Sequence, residues 1–170
     1  TLPPTSSSSR SAVGNRSASR LLDEVGGNVV RCWGGNVYEP EEFFDFCDRT
    51  GLLVWQDFAL ACGITPQDDA FAGQLRTEAD SVIKRLRQHP SLLLWCGNNE
   101  NDMFWDQRGR DPGQDRISRT VLRDAVIAHD PDRPYLASSP FYTTRSMING
   151  RPRAEEHLWG ARASFKAPFY

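Results

Sequence analysis

Residues 89–100 read HPSLLLWCGNNE, and the five positions 92–96 are all apolar. A short apolar run bounded by turn-forming residues is typical of a strand that is buried on both faces of a parallel sheet. Because Pro90 ends the helical pattern that precedes the run, a strand is predicted over 91–97. The polar residues that follow predict a strand whose end carries two amides and the carboxylate of Glu100.

The same order of apolar run and amphipathic segment repeats on both sides of this stretch. Further strands are predicted over 28–33 (NVVRCW), 52–58 (LLVWQDF) and 135–138. Apolar residues at steps of three and four predict the intervening helices, which cover residues 40–51, 71–86 and 117–126. Alternating strands and helices call for a parallel sheet with helices outside it.

The ends of three successive strands distinguish a doubly wound sheet from a closed barrel. Each end carries polar or aromatic residues, namely Arg31 with Trp33, Gln56 with Asp57, and Asn98 to Glu100. The C-terminal strand ends of a (β/α)8 barrel converge on one site in this way. The predicted fold class is therefore α/β, a partial (β/α)8 TIM barrel, since a complete barrel takes about 250 residues.

The composition is that of an ordinary soluble globular protein, with 170 residues, 39% of them hydrophobic, a net charge of -2 and a mean hydropathy of -0.54. The slight acidic balance argues against a nucleic-acid partner. No apolar stretch approaches the roughly 20 residues of a membrane helix, so no membrane partner is expected. Since residues 1–9 show no signal-peptide pattern, the compartment is unknown and a cytoplasmic location is favoured.

The cysteines and histidines form no metal or nucleophile motif, so neither a metal nor a cofactor is expected. The three histidines are interpreted as structural. The cysteines are widely spaced, without a C-x-x-C pair, and are expected to be buried, reduced thiols; they are Cys32, Cys47, Cys62 and Cys96.

The residues alone leave the roles of the candidate site residues open. Glu100 could be a general acid whose pKa is raised by burial, or a carboxylate that interacts with a helix N-terminus. Asp57 could contact a sugar hydroxyl or brace a neighbouring arginine such as Arg31, and bracing is preferred. Trp33 and Trp159 could belong to the core or form an apolar platform for a sugar ring.

Residues 28–58 and 83–101 closely resemble the catalytic domain of glycoside hydrolase family 2, in its β-mannosidase branch. The most specific pieces are RCWGGNVYE, WQDF and WCGNNE, in that order. The likeness runs over residues 21–170, which the resemblance assigns to about strands 2 to 6 of the barrel. The Ser-, Pro- and Arg-rich segment 1–20 does not fit, and it is interpreted as a flexible or misfitting N-terminal segment.

The resemblance implies a role for each strand end. Glu100 would be the general acid/base, and Asn99 would hydrogen-bond the 2-hydroxyl of the sugar. Arg31, Trp33 and Asp57 would line the same subsite, which makes Asp57 a ligand contact as well as a brace.

The implied activity is the hydrolysis of terminal β-mannosidic bonds with net retention. The family nucleophile lies in a Ser-Glu-x-Gly-like motif that these residues lack, so isolated residues 1–170 are expected to be inactive. The implied partners are a β-mannoside or related oligosaccharide and the remainder of the barrel. The alternatives are another family 2 specificity, such as β-galactosidase or β-glucuronidase, or a carbohydrate-binding half-barrel without catalysis.

Overall fold

The structure is a computed structural model that describes residues 22, 24–143 and 157. The predicted N-terminal segment 1–20 and Trp159 lie outside the described residues. Along the described part of the chain, no helix is both long and apolar enough to cross a bilayer.

Four parallel strands form one sheet in the order β1-β2-β3-β4. The strands are β1 (Val29–Cys32), β2 (Leu53–Asp57), β3 (Leu92–Cys96) and β4 (Tyr135–Leu136). Each lies within its predicted range, which confirms the predicted α/β class with a parallel sheet. β4 is shorter than the predicted 135–138, although pairing resumes beyond it at an isolated bridge between Asn99 and Ser139.

Helices connect the strands; three of them follow the predicted apolar periodicity, whereas the helix over 101–107, just after β3, was not predicted. The helices are α1 (Glu41–Thr50), α2 (Asp69–Leu86), α3 (Asn101–Gln107) and α4 (Arg123–His129). A 3-10 turn (Pro112–Gln114) precedes a π-helix (Ile117–Leu122) that runs directly into α4.

Local residues account for two of the helix ends. Gly51 follows α1 in the left-handed conformation, with φ 74°, which favours glycine. The side chain of Asp68 accepts a hydrogen bond from the backbone N–H of Phe71 at 2.9 Å and caps the start of α2.

The hydrophobic core lies between the sheet and the buried faces of the helices. Phe44 of α1 and Ile83 and Leu86 of α2 are completely buried. From the sheet side, Trp95 is also completely buried, and its ring stacks on Phe58 with the centroids 5.4 Å apart. This packing fixes the strands and therefore the positions of the residues at their ends.

Candidate active site

The C-terminal ends of β1, β2 and β3 bring the predicted site residues to one edge of the sheet. The parallel register aligns Arg31 with Trp55 and Asp57 with Cys96. Beyond the last paired residues, Asn99 forms isolated bridges with Ala61 and Ser139. Of the predicted substrate-binding and catalytic residues, the structure therefore brings Arg31, Trp33, Asp57, Asn99 and Glu100 to this edge, and Trp159 lies outside the described residues.

Asp57 braces Arg31, as the residues alone suggested. Its side chain is 0% exposed, and its Oδ2 accepts hydrogen bonds from Arg31 Nη2 at 2.8 Å and from the backbone N–H of Gly34 at 3.0 Å. Its Oδ1 accepts a hydrogen bond from Trp55 Nε1 at 2.8 Å, and Arg31 Nε lies 3.2 Å from both oxygens. The three donor residues fix the orientation of this buried carboxylate. Contact between Asp57 and a sugar stays a prediction.

The two glycines after Trp33 lie where a side chain would collide with neighbouring atoms. A Cβ on Gly34 would collide with the backbone carbonyls of Phe58 and Leu60. A Cβ on Gly35 would collide with the indole ring of Trp33, which is 47% exposed. The Gly-Gly pair thus places a half-exposed aromatic face at the edge of the sheet, where it is available to an apolar ligand surface.

Glu100 adopts the left-handed conformation, with φ 65°, which is uncommon for a residue other than glycine. Its backbone N–H donates to the carbonyl of Ser139 at 2.8 Å. It occupies the N-cap position of α3, yet its side chain makes no capping hydrogen bond. The carboxylate instead projects to the end of the sheet, where it is 14% exposed. Unusual backbone conformations of this kind cluster at functional sites.

The carboxylate of Glu100 has a different neighbour at each oxygen. His157 Nδ1 lies 2.9 Å from Oε1, and the thiol of Cys62 donates to Oε2 at 3.4 Å. Partial burial and the hydrogen bond to Glu100 raise the pKa of the Cys62 thiol, although a hydrogen bond from Asn99 opposes the shift. The thiol therefore stays protonated and acts as a weak donor.

The two asparagines before Glu100 have separate roles. Asn98 is completely buried, and its Nδ2 donates to Ser118 Oγ at 2.7 Å while its Oδ1 accepts from Ser138 Oγ at 2.7 Å. Asn99 instead directs its Nδ2 to the sulfur of Cys62 at 3.5 Å, beside the carboxylate of Glu100. Asn98 thus holds the strand end together, and Asn99 faces the site.

A buried ion pair supports the helix that follows Glu100. Arg119 of the π-helix donates from Nη1 and Nη2 to the two oxygens of Asp102 at 2.9 and 2.7 Å. The backbone N–H of Tyr142 adds a donor at 2.9 Å. Burial raises the pKa of Asp102 in spite of these bonds. The wide turn of the π-helix places Arg119 where it ties α3 to the chain beyond β4.

Two residues of the site were missed by the sequence interpretation. Cys62, expected to be buried, is exposed and left-handed, with φ 54°, because it lies in the loop beyond β2 and not in the core. His157, interpreted as structural, contacts Glu100. Neither residue belongs to a recognisable motif, and 57 positions separate His157 from Glu100. The expectation of buried, reduced thiols is confirmed for Cys32, Cys47 and Cys96.

Within the described residues, one group of side chains has the spacing of metal ligands, and it lies away from Glu100. Asp45, Asp48 and His89 form this group near the start of β3. Both ring nitrogens of His89 already contact carboxylates, Nδ1 that of Asp48 at 2.7 Å and Nε2 that of Glu41 at 3.0 Å. His89 and Asp48 of this group are therefore accounted for as ion-pair partners.

No protein-family model matches the chain. It is 44% identical over 137 residues to β-mannosidase B of Thermothelomyces thermophilus, a match that covers 72% of this chain and 16% of that protein. It is 37% identical over 133 residues to β-mannosidase of Rattus norvegicus, covering 72% of this chain and 15% of that protein. The solved β-D-mannosidase of Dictyoglomus thermophilum superposes with a TM-score of 0.73 and 37% identity over 85% of this chain and 18% of that one.

These similarities, with the parallel α/β sheet, identify the chain as related to glycosyl hydrolases. Within that class it is of the β-mannosidase type of glycoside hydrolase family 2, as the three sequence pieces predicted. The chain spans 15% to 16% of the length of the two curated relatives. It thus corresponds to one segment of such proteins.

Proposed function

We propose that this chain is the acid/base half of a retaining glycosidase that cleaves terminal β-mannosidic bonds. The observation that carries the proposal is Glu100, a partly exposed carboxylate held in a left-handed backbone conformation beyond β3. It lies beside Asn99 in a chain whose relatives are β-mannosidases. Similarity to those relatives supports the choice of a mannoside over a galactoside or a glucuronide.

The proposed fold is about strands 2 to 6 of a (β/α)8 TIM barrel. Four strands paired in chain order, with helices between them, support this proposal. A closed barrel requires further strands at both edges of the sheet, so the remainder of the barrel is a necessary partner. We assign residues 21–170 to the catalytic domain and leave residues 1–20 outside it.

Glu100 would act twice in the reaction. In the first step its protonated carboxyl donates a proton to the leaving oxygen while a second carboxylate attacks the anomeric carbon. In the second step the ionised Glu100 takes a proton from water, which attacks the glycosyl-enzyme and releases the sugar with net retention. The second carboxylate would lie about 5 to 5.5 Å from Glu100, on the other part of the barrel. Two carboxylates perform this chemistry without a metal or a cofactor.

The remaining predicted residues would bind the sugar in the subsite next to Glu100. Asn99 would donate from Nδ2 to the 2-hydroxyl, since this amide faces the site. Trp33 and Trp159 would offer apolar faces to the ring. Asp57 would act chiefly through its bonds to Arg31 and Gly34, which hold the Trp33 loop in place.

The test is a specificity panel on the completed barrel, with aryl β-mannoside, β-galactoside and β-glucuronide of the same leaving group. We expect the mannoside to have the highest kcat/KM and NMR to detect the β-anomer of mannose as the first product. Preference for another sugar would establish a different family 2 specificity, and an initial α-anomer would exclude retention. Binding of mannose without turnover would support the carbohydrate-binding alternative.

A further inference from the structure

His157 connects the carboxylate of Glu100 to a buried ion pair. Its Nδ1 lies 2.9 Å from Glu100 Oε1. Its Nε2 lies 3.2 Å from Arg31 Nη1 and 2.9 Å from Ser139 Oγ. Because Arg31 is itself held by Asp57, a continuous set of contacts runs from Asp57 through Arg31 and His157 to Glu100.

The chemistry of these partners determines the tautomer of the imidazole. A guanidinium nitrogen can only donate, so Nε2 must accept from Arg31 and carry no proton. A doubly protonated ring would direct an N–H at the N–H groups of Arg31. The proton of the neutral ring then resides on Nδ1, from which it is donated to Glu100 Oε1. The Ser139 hydroxyl can donate to Nε2 as well, and this agrees with the same tautomer.

We propose that His157 is a positioning residue: its Nε2 accepts from Arg31, and its Nδ1–H binds Oε1 of Glu100 and leaves Oε2 to carry the catalytic proton. This inference rests on the proposed function, since it assigns the acid proton of Glu100 to one oxygen. The Asp57–Arg31 pair would then have a second role, because Arg31 fixes the tautomer of His157, which contacts Glu100.

The two oxygens of Glu100 differ in the strength with which they are held. The contact of Oε1 with His157 is short, at 2.9 Å, whereas Oε2 faces the thiol of Cys62 at 3.4 Å. A thiol is a weak hydrogen-bonding group, so a leaving-group oxygen can readily replace it at Oε2. Among the described residues, the charged and titratable groups in contact with Glu100 or His157 are Cys62 and Arg31, and Asp57 contacts Arg31 in turn.

The direct test of the tautomer is 15N NMR of the imidazole in the completed barrel, labelled at histidine and measured near neutral pH. Signals of His157 are assigned by their loss in the His157→Asn variant. We expect a protonated Nδ1 and an unprotonated Nε2. A protonated Nε2, alone or together with Nδ1, would overturn the proposal, and this readout requires no turnover of substrate.

Two substitutions test the positioning role by kinetics. The amide of His157→Asn can place a donor near the position of Nδ1, whereas that of His157→Gln reaches the position of Nε2 and leaves Oε1 without its donor. We expect His157→Gln to lower kcat/KM for a substrate with a poor leaving group by about 10- to 100-fold, the value of one hydrogen bond to a charged group. His157→Asn should retain activity within about 3-fold of wild type.

The pH profile separates positioning from a general loss of structure. A donor on Oε1 favours the ionised form of Glu100, so its removal in His157→Gln should move the alkaline limb of kcat/KM to higher pH. Equal effects of the two substitutions, or an unmoved alkaline limb, would contradict the proposal. Absence of turnover in the wild-type barrel would instead refute the proposed function and leave the NMR result to decide the tautomer.

Discussion

Two histidines near opposite ends of β3 show how the same side chain is given different bonding partners. At the start of the strand, the two ring nitrogens of His89 contact two carboxylates, Asp48 at 2.7 Å and Glu41 at 3.0 Å. Burial opposes the charged form, but hydrogen bonds to Asp48 and Glu41 outweigh it and raise the pKa of His89. The ring of His89 therefore joins α1 to the start of β3.

Beyond the end of the strand, His157 has one carboxylate and one guanidinium as its neighbours, Glu100 at 2.9 Å and Arg31 at 3.2 Å. Since a guanidinium can only donate, Nε2 accepts from Arg31 and Nδ1 faces the carboxylate. The partners of each ring, more than its burial, distinguish the two histidines. At the start of the sheet the ring lies between two carboxylates, and at the end it lies between the guanidinium of Arg31 and the carboxylate of Glu100.

The largest effect expected at the C-terminal end comes from Glu100→Gln. In the completed barrel this change should reduce kcat for mannosides with poor leaving groups by about 10²- to 10⁴-fold, since it removes general acid catalysis. Activated aryl mannosides should lose much less in their first step. The exposed Glu42 of α1 gives a matched control, because Glu42→Gln should leave both rates unchanged. Equal losses on both substrates with Glu100→Gln would remove Glu100 from the acid role.

The next largest effect is expected on the free energy of unfolding when Asp57 is replaced. Asp57→Ala leaves Arg31 and the backbone N–H of Gly34 without their buried acceptor, so the free energy of unfolding should fall by about 3–5 kcal/mol. Asp124, in an exposed pair with Arg123, is the control, and Asp124→Ala should cost under about 1 kcal/mol. Urea unfolding of the three proteins provides the comparison. Similar losses of unfolding free energy in both variants would show that the pair of Asp57 with Arg31 stabilises the fold no more than an exposed ion pair does.

Substitutions of the two adjacent asparagines should affect different properties, catalysis for Asn99 and stability for Asn98. Asn99→Ala should lower kcat/KM by about 2 kcal/mol, roughly 30-fold, because contacts to the 2-hydroxyl strengthen in the transition state. Asn98→Ala should instead lower the free energy of unfolding by about 1–3 kcal/mol, since it leaves buried partners unsatisfied. Kinetics and thermal unfolding of both variants check the assignment. Wild-type kinetics for Asn99→Ala would exclude this residue from the sugar subsite.

The smallest effect is a pH-dependent change in stability caused by the ion pairs of His89 at the start of β3. The pKa of His89 is raised above its ordinary value of 6.5, so its contribution to stability is complete below pH 6.5 and is lost as pH rises through the folded-state pKa. The pKa of Glu41 is lowered below 4.5 by bonds to His89 and Arg85, so its contribution is lost at acidic pH. For Asp48, burial alone would raise the pKa, but bonds from Ser91 and His89 lower it below 3.8.

The expected optimum of this cluster therefore lies between about pH 4.5 and 6.5. The stability difference between wild type and His89→Gln should be greatest there and should shrink by about 1 kcal/mol at alkaline pH. The neighbouring Asp45 is the nearby charge that could also contribute. Denaturant unfolding at a series of pH values measures the difference. A constant difference across the series would mean that folding does not shift the pKa of His89, which would contradict the raised pKa.

The sheet and most of the polar residues at its edge could be predicted because each strand and its end are visible as a local sequence pattern. Apolar runs that end in polar residues place Arg31, Asp57 and Glu100 at the ends of consecutive strands, and parallel strands bring such ends together. The bracing of Arg31 by Asp57 followed from their positions at neighbouring strand ends. These features require only the strand order.

The left-handed Glu100 and the contact with His157 could not be predicted in this way. The backbone conformation of Glu100 depends on its bond to Ser139, which lies beyond another helix and strand. His157 is 57 residues from its carboxylate partner, and only the folded chain brings the two together. The π-helix likewise depends on tertiary contacts of Ser118 and Arg119, since its residues show an ordinary helical period.

Whether Glu100 is the acid/base can be tested with the Glu100→Ala variant of the completed barrel. The measurement identifies the product that this variant forms from an activated aryl β-mannoside in the presence of azide. With the acid/base side chain removed, azide can attack the glycosyl-enzyme from the vacated face and should accelerate turnover. We predict β-mannosyl azide as the product, identified by NMR, because two displacements retain the configuration. Formation of the α-azide would show that Glu100 is the nucleophile, and no response to azide would contradict its place in the reaction.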